Sequence, residues 1–221
     1  IAWRIIATLF TLDYLDKENL TQNTVVIYTS DQGMFLGEHD YIDKRWIFEE
    51  ALQMPFLIRY PREINAGSVI DDIVTNVDFA PTLMDYANLE KTKYMEGKSF
   101  RETIQGDTPD DWSNKLYYRY WMHMAHHDNP AHYGIRTKNY KLIFFYGLPL
   151  DAYGAVDNPT PPGWELKKKK KDPEELNNVY NNPEYKKVIK DLKEQLFAMK
   201  EEVGDTDDKY PELQKRVEET R

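Results

Sequence analysis

Asp31 and Gln32 stand at the end of an apolar run, NTVVIYTS, and a glycine follows them. Both side chains offer oxygen, and hard cations such as Ca²⁺ or Mg²⁺ are held by carboxylate and carbonyl oxygens. Two donors do not complete such a site; roughly two to four more oxygens must come from elsewhere. Gly33 allows a sharp turn and keeps bulk away from that point. Lys44 follows in the same charged stretch. Beside a cation, its ammonium could bind an anionic group such as sulfate or phosphate. By spacing alone, a surface lysine paired with Asp or Glu describes it better. His39, as an imidazole, suits either acid/base work or a structural Gly-Glu-His turn. Glu38, Glu49 and Glu50 read as caps and ion-pair partners rather than catalysts.

The elements around these residues have α/β order. IAWRIIATLFTLDYLD reads as a helix with Ile5, Ile6, Leu9, Phe10, Leu12 and Leu15 on a broad apolar face. TVVIYTS, short and rich in β-branched and aromatic residues, suits a strand buried on both faces of a parallel sheet. Asp31 and Gln32 then fall at a strand's carboxyl end, where open α/β sheets hold ligands. RWIFEEALQ is read as a helix, PFLIRYP as a strand and SVIDDIVTNVD as a further extended segment. DFAPTLMDYANL is read as a helix with Asp78 as its N-cap and Pro81 in the first turn.

From about residue 107 the texture changes. KLYYRYWMHM and HYGIRTKNYKLIFFYG alternate like antiparallel strands, with AHHDNPA a loop between them. LPLDAYGAVDNPTPPGWEL has four prolines and no periodicity, so it reads as a long surface loop. A later amphipathic helix carries Val188, Ile189, Leu192, Leu196 and Met199 as its apolar stripe. The charged tail is read as helical or loosely attached. Lys167 to Lys171 is read as a solvated turn before Asp172-Pro173 rather than an anion patch.

Composition narrows the classes. The chain has 221 residues and a formal net charge of -9, which disfavours general nucleic-acid binding because phosphates demand a basic face. It has no cysteine, which excludes disulfides and thiolate metal sites. No stretch approaches the roughly 18 apolar residues of a membrane span. The apolar start lacks Met and a small-residue cleavage site, and it reads as a helix in a cut chain rather than a signal peptide.

NTVVIYTSDQGMFLGEHDYIDKRWIFEEALQMPFLIRYP, continued by IVTNVDFAPTLMDYANL, resembles the type I, formylglycine-dependent sulfatases of the alkaline-phosphatase-like superfamily. It is similar in particular to N-acetylglucosamine-6-sulfatase-like members. HYGIRTKNYKLIFFY and WEL…DPEELNNVYNNPEY resemble the family's C-terminal strands and closing helix. The resemblance implies Asp31 and Gln32 as Ca²⁺ ligands and Lys44 as the catalytic group that binds sulfate and neutralises the leaving oxygen. It implies Asp43 and Arg45 as contacts to sugar hydroxyls. His123, His126, His127 and His132 cluster near the start of the C-terminal strands. They are open to three readings: a substrate-contacting loop, for which His132 is the first choice, a metal group, or a polar surface loop.

The family's C/S-x-P-x-R nucleophile motif has no counterpart in this sequence, since Ser30, Ser68, Ser99 and Ser113 are not followed by x-Pro-x-Arg. The expected fold is therefore a partial alkaline-phosphatase-like mixed α/β sheet with flanking helices. A small antiparallel sheet with a C-terminal helix follows it. The expected division is residues 1–106 and 107–221. The expected function is part of a Ca²⁺-assisted sulfatase acting on a sulfated carbohydrate, inactive alone, with its formylglycine nucleophile in a missing N-terminal half. The alternatives are a phosphate or phosphonate ester hydrolase of the same superfamily and an inactive truncated scaffold. Family habit suggests a periplasmic, extracellular or lysosomal setting.

Overall fold

The computed structural model describes the backbone of residues 2–220 and the side chains of residues 9–220. The chain forms two units, Ile1–Asp31 with Met54–Trp112, and Gln32–Gln53 with Ser113–Arg221. The expected division near residue 106 differs from this in one important respect. The charged stretch that follows Asp31 belongs to the second unit.

The first unit begins with helix α1 (Ala2–Lys17) and strand β1 (Val26–Thr29), which pairs with β2 (Phe56–Arg59). The pairing is antiparallel, with Val26 opposite Arg59 and Thr29 opposite Phe56. The expectation of a parallel strand buried on both faces is corrected here. Val26 and Ile27 are half-buried, while Tyr28 and Thr29 are exposed, and among the described residues β2 is the one strand paired with β1. On α1, Leu15 is buried but Leu9 and Phe10 are exposed; Ile5 and Ile6 lie outside the described side chains. Leu9 and Leu12 line an open apolar groove with Val26, Tyr28, Leu57, Ile58 and the stem of Arg59.

Helix α3 (Asn76–Tyr86) starts earlier than expected. Its N-cap is Thr75, not Asp78. Asp78 is the third residue of the helix, and its Oδ2 accepts from the Thr75 backbone N–H at 2.8 Å, a capping box. Pro81 consequently lies inside the helix, past its first turn. The extended segment expected over SVIDDIVTNVD forms no strand. Side chains satisfy part of it instead: Trp112 Nε1 donates to the Ile73 carbonyl at 3.0 Å and Thr108 to Asp72 at 2.7 Å. Phe56, Phe79 and Phe100 meet edge to face at 5.3 to 5.7 Å, and Phe100 is fully buried at the start of helix α4 (Arg101–Gln105).

In the second unit, β3 (Lys115–Tyr120), β4 (His132–Thr137), β5 (Tyr140–Phe145) and β6 (Gly163–Lys168) form an antiparallel sheet in chain order. Alternation along a strand sends successive side chains to opposite faces. One face carries Tyr133, Ile135, Leu142, Phe144, Trp164 and Leu166. It packs against Leu192 and Leu196 of α5 (Lys186–Glu202) and Leu213 and Val217 of α6 (Pro211–Glu219). The expected stripe on α5 is present, and the charged tail is a docked helix. GWEL, read as part of a surface loop, is edge strand β6, in register with β5 from Gly163 opposite Phe145.

The opposite face carries His132, Gly134 and Arg136, Lys141 and Phe145, and Glu165 and Lys167. Residues 32–53 bear on it. Trp46 meets Phe145 at 5.6 Å, and Ile47 is fully buried over Gly134. A Cβ at Gly134 would stand 2.4 Å from the Leu142 carbonyl oxygen and 2.9 Å from Ile47 Cδ1, so the close approach requires glycine there.

Beside Ile47, charges take over. Lys141 has no exposed surface. Its ammonium lies 2.6 Å from Glu175 and 3.2 Å from Glu49. Arg136 and Lys169 close on Glu49 at 3.0 and 2.6 Å. Glu175 also accepts from the Glu49 backbone N–H at 2.9 Å, at the start of the single-turn helix α2 (Glu49–Leu52). The expected helix over RWIFEEALQ shrinks to this turn because its aromatic half lies extended on the sheet. The solvated-turn reading of the lysine run is likewise corrected. Lys167 is 5% exposed and paired with Glu165, and Lys169 is committed to Glu49, leaving Lys170 and Lys171 in solvent.

Burial opposes ionisation of Glu49, but hydrogen bonds from Arg136 and Lys169 and the field of Lys141 win and hold its carboxyl far below the ordinary value. Burial pushes Lys141 down, and Glu175 and Glu49 pull against that shift.

Two expectations follow. Lys141→Met leaves the buried Glu175 carboxylate without its cation and takes one of three cations from Glu49, and it should destabilise the second unit by roughly 3–5 kcal/mol. Adding Glu175→Leu should return part of that loss; additive losses in denaturant melts would show that the pair is not coupled. The second expectation concerns acid. Glu49 has its folded pKa depressed, so its contribution is fully present above its ordinary 4.5 and is lost as pH falls below it. Wild-type stability should drop on acidification below pH 4.5 more steeply than that of Glu49→Gln, and parallel pH profiles would refute the assignment.

Candidate functional site

Within the second unit, residues 32–48 make a loop folded back on itself. The Phe35 N–H donates to the Asp43 carbonyl at 2.8 Å, and the Gly37 N–H to the Tyr41 carbonyl at 3.1 Å. This pairing turns Phe35 inward, 1% exposed, and leaves Leu36 and Ile42 in solvent. His39 and Asp40 at the tip both have left-handed backbone, φ 56° and 55°. His39 lies 3.6 Å from Glu50 and its ring meets Phe48 at 4.7 Å, which favours the structural reading.

Gln32 reaches across the base of the loop, where its Nε2 donates to the Lys44 carbonyl at 2.9 Å. That bond uses the amide nitrogen, the half of the side chain that a hard cation would not take. The donor set of Asp31 and Gln32, a carboxylate and an amide oxygen, suits Ca²⁺ in kind. The two residues fall on either side of the division between the units. Among the described residues, no three His, Asp or Glu side chains converge as a metal site.

Asp43, Lys44 and Arg45 come from the return limb of the loop. Arg45 Nη1 donates to Asp43 Oδ1 at 2.6 Å. Asp43 is 7% exposed. Burial works against its charge, yet the Arg45 hydrogen bond and the Lys44 backbone N–H hold its carboxyl below the ordinary carboxylate value. Lys44 and Arg45 are half-buried.

The turn between β3 and β4 fixes this tripeptide from the other side. Met124, His127 and Asp128 all take left-handed φ there. Asn129, fully buried, donates from Nδ2 to the Arg45 carbonyl at 2.7 Å. His123 accepts from the Ala131 N–H at Nδ1 and meets the Asn158 carbonyl with Nε2, both at 3.0 Å. A carbonyl can only accept, so the proton of His123 is on Nε2. His127 meets Tyr41 edge to face at 5.8 Å.

His132 does not present its ring at the surface. It has no exposed surface and is surrounded by Trp46, Tyr118, Tyr120 and Phe145 at 5.2 to 5.7 Å. Nδ1 donates to the Pro130 carbonyl at 2.8 Å, so Nε2 carries a lone pair. Burial pushes the imidazole down to about 4, and the Pro130 bond opposes that weakly. His132 is therefore neutral at neutral pH and acts as a fixed acceptor rather than a proton carrier.

Buried polar atoms without a hydrogen-bond partner gather around this segment: Tyr41 OH, Asp43 Oδ2, Tyr120 OH, Asn129 Oδ1 and His132 Nε2. Asp43 and Arg45 both act on the ionisation of Tyr41 and of Tyr120, which burial raises to about 12 in Tyr120. The structure thus brings Asp43, Lys44, Arg45 and His132 into one region, with Gln32 bonded to its backbone. Sequence reasoning missed Asn129, Tyr41 and Tyr120. Asn129 sits in a His-His-Asp-Asn-Pro run that signals a turn, and nothing local marks its reach to Arg45.

The chain matches the family described as N-sulphoglucosamine sulphohydrolase, C-terminal, over residues 37–202. It is 42% identical over 198 residues to an N-acetylglucosamine-6-O-sulfatase of Bacteroides thetaiotaomicron, covering 89% of this chain and 33% of that protein. An arylsulfatase of Clostridium perfringens is 29% identical over 200 residues, covering 87% and 37%. A structure solved in complex with its substrate, D-glucosamine-2-N,6-O-disulfate, superposes with a TM-score of 0.78 at 42% identity, covering 89% of this chain and 38% of that one. A phosphonate monoester hydrolase from Silicibacter pomeroyi superposes at 0.70, covering 87% and 37%; at 18% identity this is likeness of fold alone. The chain spans about a third of the length of the curated relatives it matches. A match over most of its residues places the chain in the N-sulphoglucosamine sulphohydrolase C-terminal family, as a C-terminal sulfatase domain.

Proposed function

We propose that this chain is the substrate-recognising part of a sulfatase that hydrolyses a sulfate ester on an amino sugar. In this reading Lys44 binds the sulfate and stabilises the charge that grows on the bridging oxygen as the S–O bond breaks. Asp43 and Arg45, held to each other at 2.6 Å, hydrogen-bond sugar hydroxyls. His132, behind them, holds a bound hydroxyl or water through Nε2. Asp31 and Gln32 would supply two of the ligands of a Ca²⁺ ion, which would draw charge from the sulfate. The nucleophile is a formylglycine hydrate that none of this chain's own residues supplies.

One observation carries the reading. Five buried polar atoms around the Asp43–Arg45 segment complete no hydrogen bond. A buried polar group left unpaired costs roughly 1–3 kcal/mol, so such a set calls for ordered water or a hydroxyl-rich ligand. The disulfated glucosamine bound as substrate by the 42%-identical relative is a ligand of that kind. The phosphonate hydrolase neighbour supports the alternative by fold alone.

Calorimetric titration of the 221-residue chain with glucosamine-6-sulfate tests this. Lys44→Ala should weaken binding roughly 10- to 100-fold, the range of a charge-assisted hydrogen bond. Asp43→Asn should weaken glucosamine-6-sulfate but leave the affinity for inorganic sulfate unchanged. Equal affinity of wild type and Lys44→Ala for the sulfated sugar would reject the proposal.

A further inference from the structure

The carbonyls of Asp43, Lys44 and Arg45 are consecutive, and each accepts a hydrogen bond from a different group. The Phe35 N–H reaches Asp43 at 2.8 Å, Gln32 Nε2 reaches Lys44 at 2.9 Å and Asn129 Nδ2 reaches Arg45 at 2.7 Å. The first two donors stand on the outgoing limb of the same loop. The third comes from the turn between β3 and β4, 84 residues further along the chain.

That turn does not need the Asn129 side chain for its own closure. The Met124 N–H donates to the Asn129 carbonyl at 2.8 Å and the Asn129 N–H to the His126 carbonyl at 3.1 Å, so backbone bonds close it. His123 braces it further: Nδ1 accepts from the Ala131 N–H, and the His123 carbonyl accepts from the Val156 N–H at 2.8 Å. The Asn129 side chain has no exposed surface. Burying an amide is costly unless it is hydrogen-bonded. The bond it makes is the one to Arg45, since Oδ1 completes none. A carbonyl can only accept, which fixes the amide with its nitrogen toward Arg45.

The place of a guanidinium follows from its backbone as well as from its ion pair. Arg45 Nη1 is held by Asp43 Oδ1 at 2.6 Å. Asp43 belongs to the same limb, so this pair fixes the two side chains to each other and not to the sheet. Ile47 anchors the limb two residues later. The Asn129 bond ties residue 45 itself to the β3–β4 turn. Recognition needs its groups held within about 0.5 Å, and supporting hydrogen bonds supply that precision.

We propose that Asn129 is a positioning residue for Arg45 and through it sets the preference for a sulfated amino sugar over free sulfate. The part played by Arg45 rests on the amino-sugar reading above; the three bonded carbonyls do not.

The test is calorimetric titration of the 221-residue chain and its variants with glucosamine-6-sulfate and with inorganic sulfate. Asn129→Ala should weaken glucosamine-6-sulfate about tenfold, within the range of one hydrogen bond, and leave inorganic sulfate unchanged. A general loosening of the fold would weaken both alike, and that result would overturn the proposal. In an Arg45→Ala background, Asn129→Ala should cost nothing further; losses that add would show that it does not act through Arg45. If Asn129→Ala melts early, ¹H–¹⁵N spectra of the wild-type chain decide. Glucosamine-6-sulfate should shift the Arg45 Nε–H and the Asn129 side-chain amide signals together, and inorganic sulfate should leave both in place. A shift of Arg45 with Asn129 unmoved would overturn the proposal. If Asn129→Ala weakens the sugar through Arg45 while Lys44→Ala does not weaken it, the positioning role stands and the sulfatase reading falls. Lys44-dependent binding that Asn129→Ala leaves intact rejects the positioning role alone.

Discussion

A lysine with no exposed surface must be neutralised by carboxylates, and Lys141 imposes that condition on the whole second unit. Its partners come from distant parts of the sequence, Glu49 before the sheet and Glu175 after it. Arg136 and Lys169 add a second layer on Glu49. Glu175 does two jobs, because the oxygen that meets Lys141 also accepts the first N–H of α2. Residue 175 caps a helix 126 residues upstream in the chain. A shift of residues 32–53 along the sheet by one residue would separate Glu49 from all three cations. The ion network therefore sets the position of this segment, where the apolar contacts of Trp46, Ile47 and Phe48 alone would tolerate more than one arrangement.

The sheet accommodates this by dividing its labour between faces. Alternate residues of β4, β5 and β6 go to the helices, giving an apolar core with Leu192, Leu196, Leu213 and Val217. The remaining alternates carry imidazole, guanidinium, ammonium and carboxylate, and residues 32–53 of the same unit bear on them. Gly134 is the point where the two demands meet. Without a side chain there, Ile47 descends to the sheet backbone and draws the adjacent residues down with it. Lys44 and Arg45 precede that anchor directly, so their backbone is held at one end by Ile47 and at the other by the loop pairing of Phe35 with Asp43.

Much of this is legible in sequence where periodicity carries the signal. The α5 stripe and the alternation of KLYYRY and HYGIRT through IFF emerge in the structure as read. The readings that fail have long-range causes. TVVIYTS has the composition of a buried parallel strand, but burial depends on neighbours, and β2 is its one partner among the described residues. Lys167 and Lys169 look like part of a solvated run because local charge density cannot reveal Glu165 or Glu49 as partners. Thr75 is easily missed as a cap because Asp78 is as good a capping residue by type; the box needs both, in reciprocal roles. Asp43, Lys44 and Arg45 stand out through family resemblance rather than spacing. Asn129, which holds Arg45 from another loop, has no local signature at all.

The same long-range fixing decides what His132 can do. An exposed histidine beside Asp43 and Arg45 would be a natural proton carrier. Enclosed by four aromatic rings, with Nδ1 committed to Pro130, this one is neutral across the physiological range and points a lone pair from Nε2. It gains nothing from pH and has no freedom to turn. Its neighbours are equally constrained: Asn129 by Arg45, His123 by Ala131 and Asn158, Asp43 by Arg45. Polar atoms held in so rigid a setting are kept from collapsing into internal hydrogen bonds with one another.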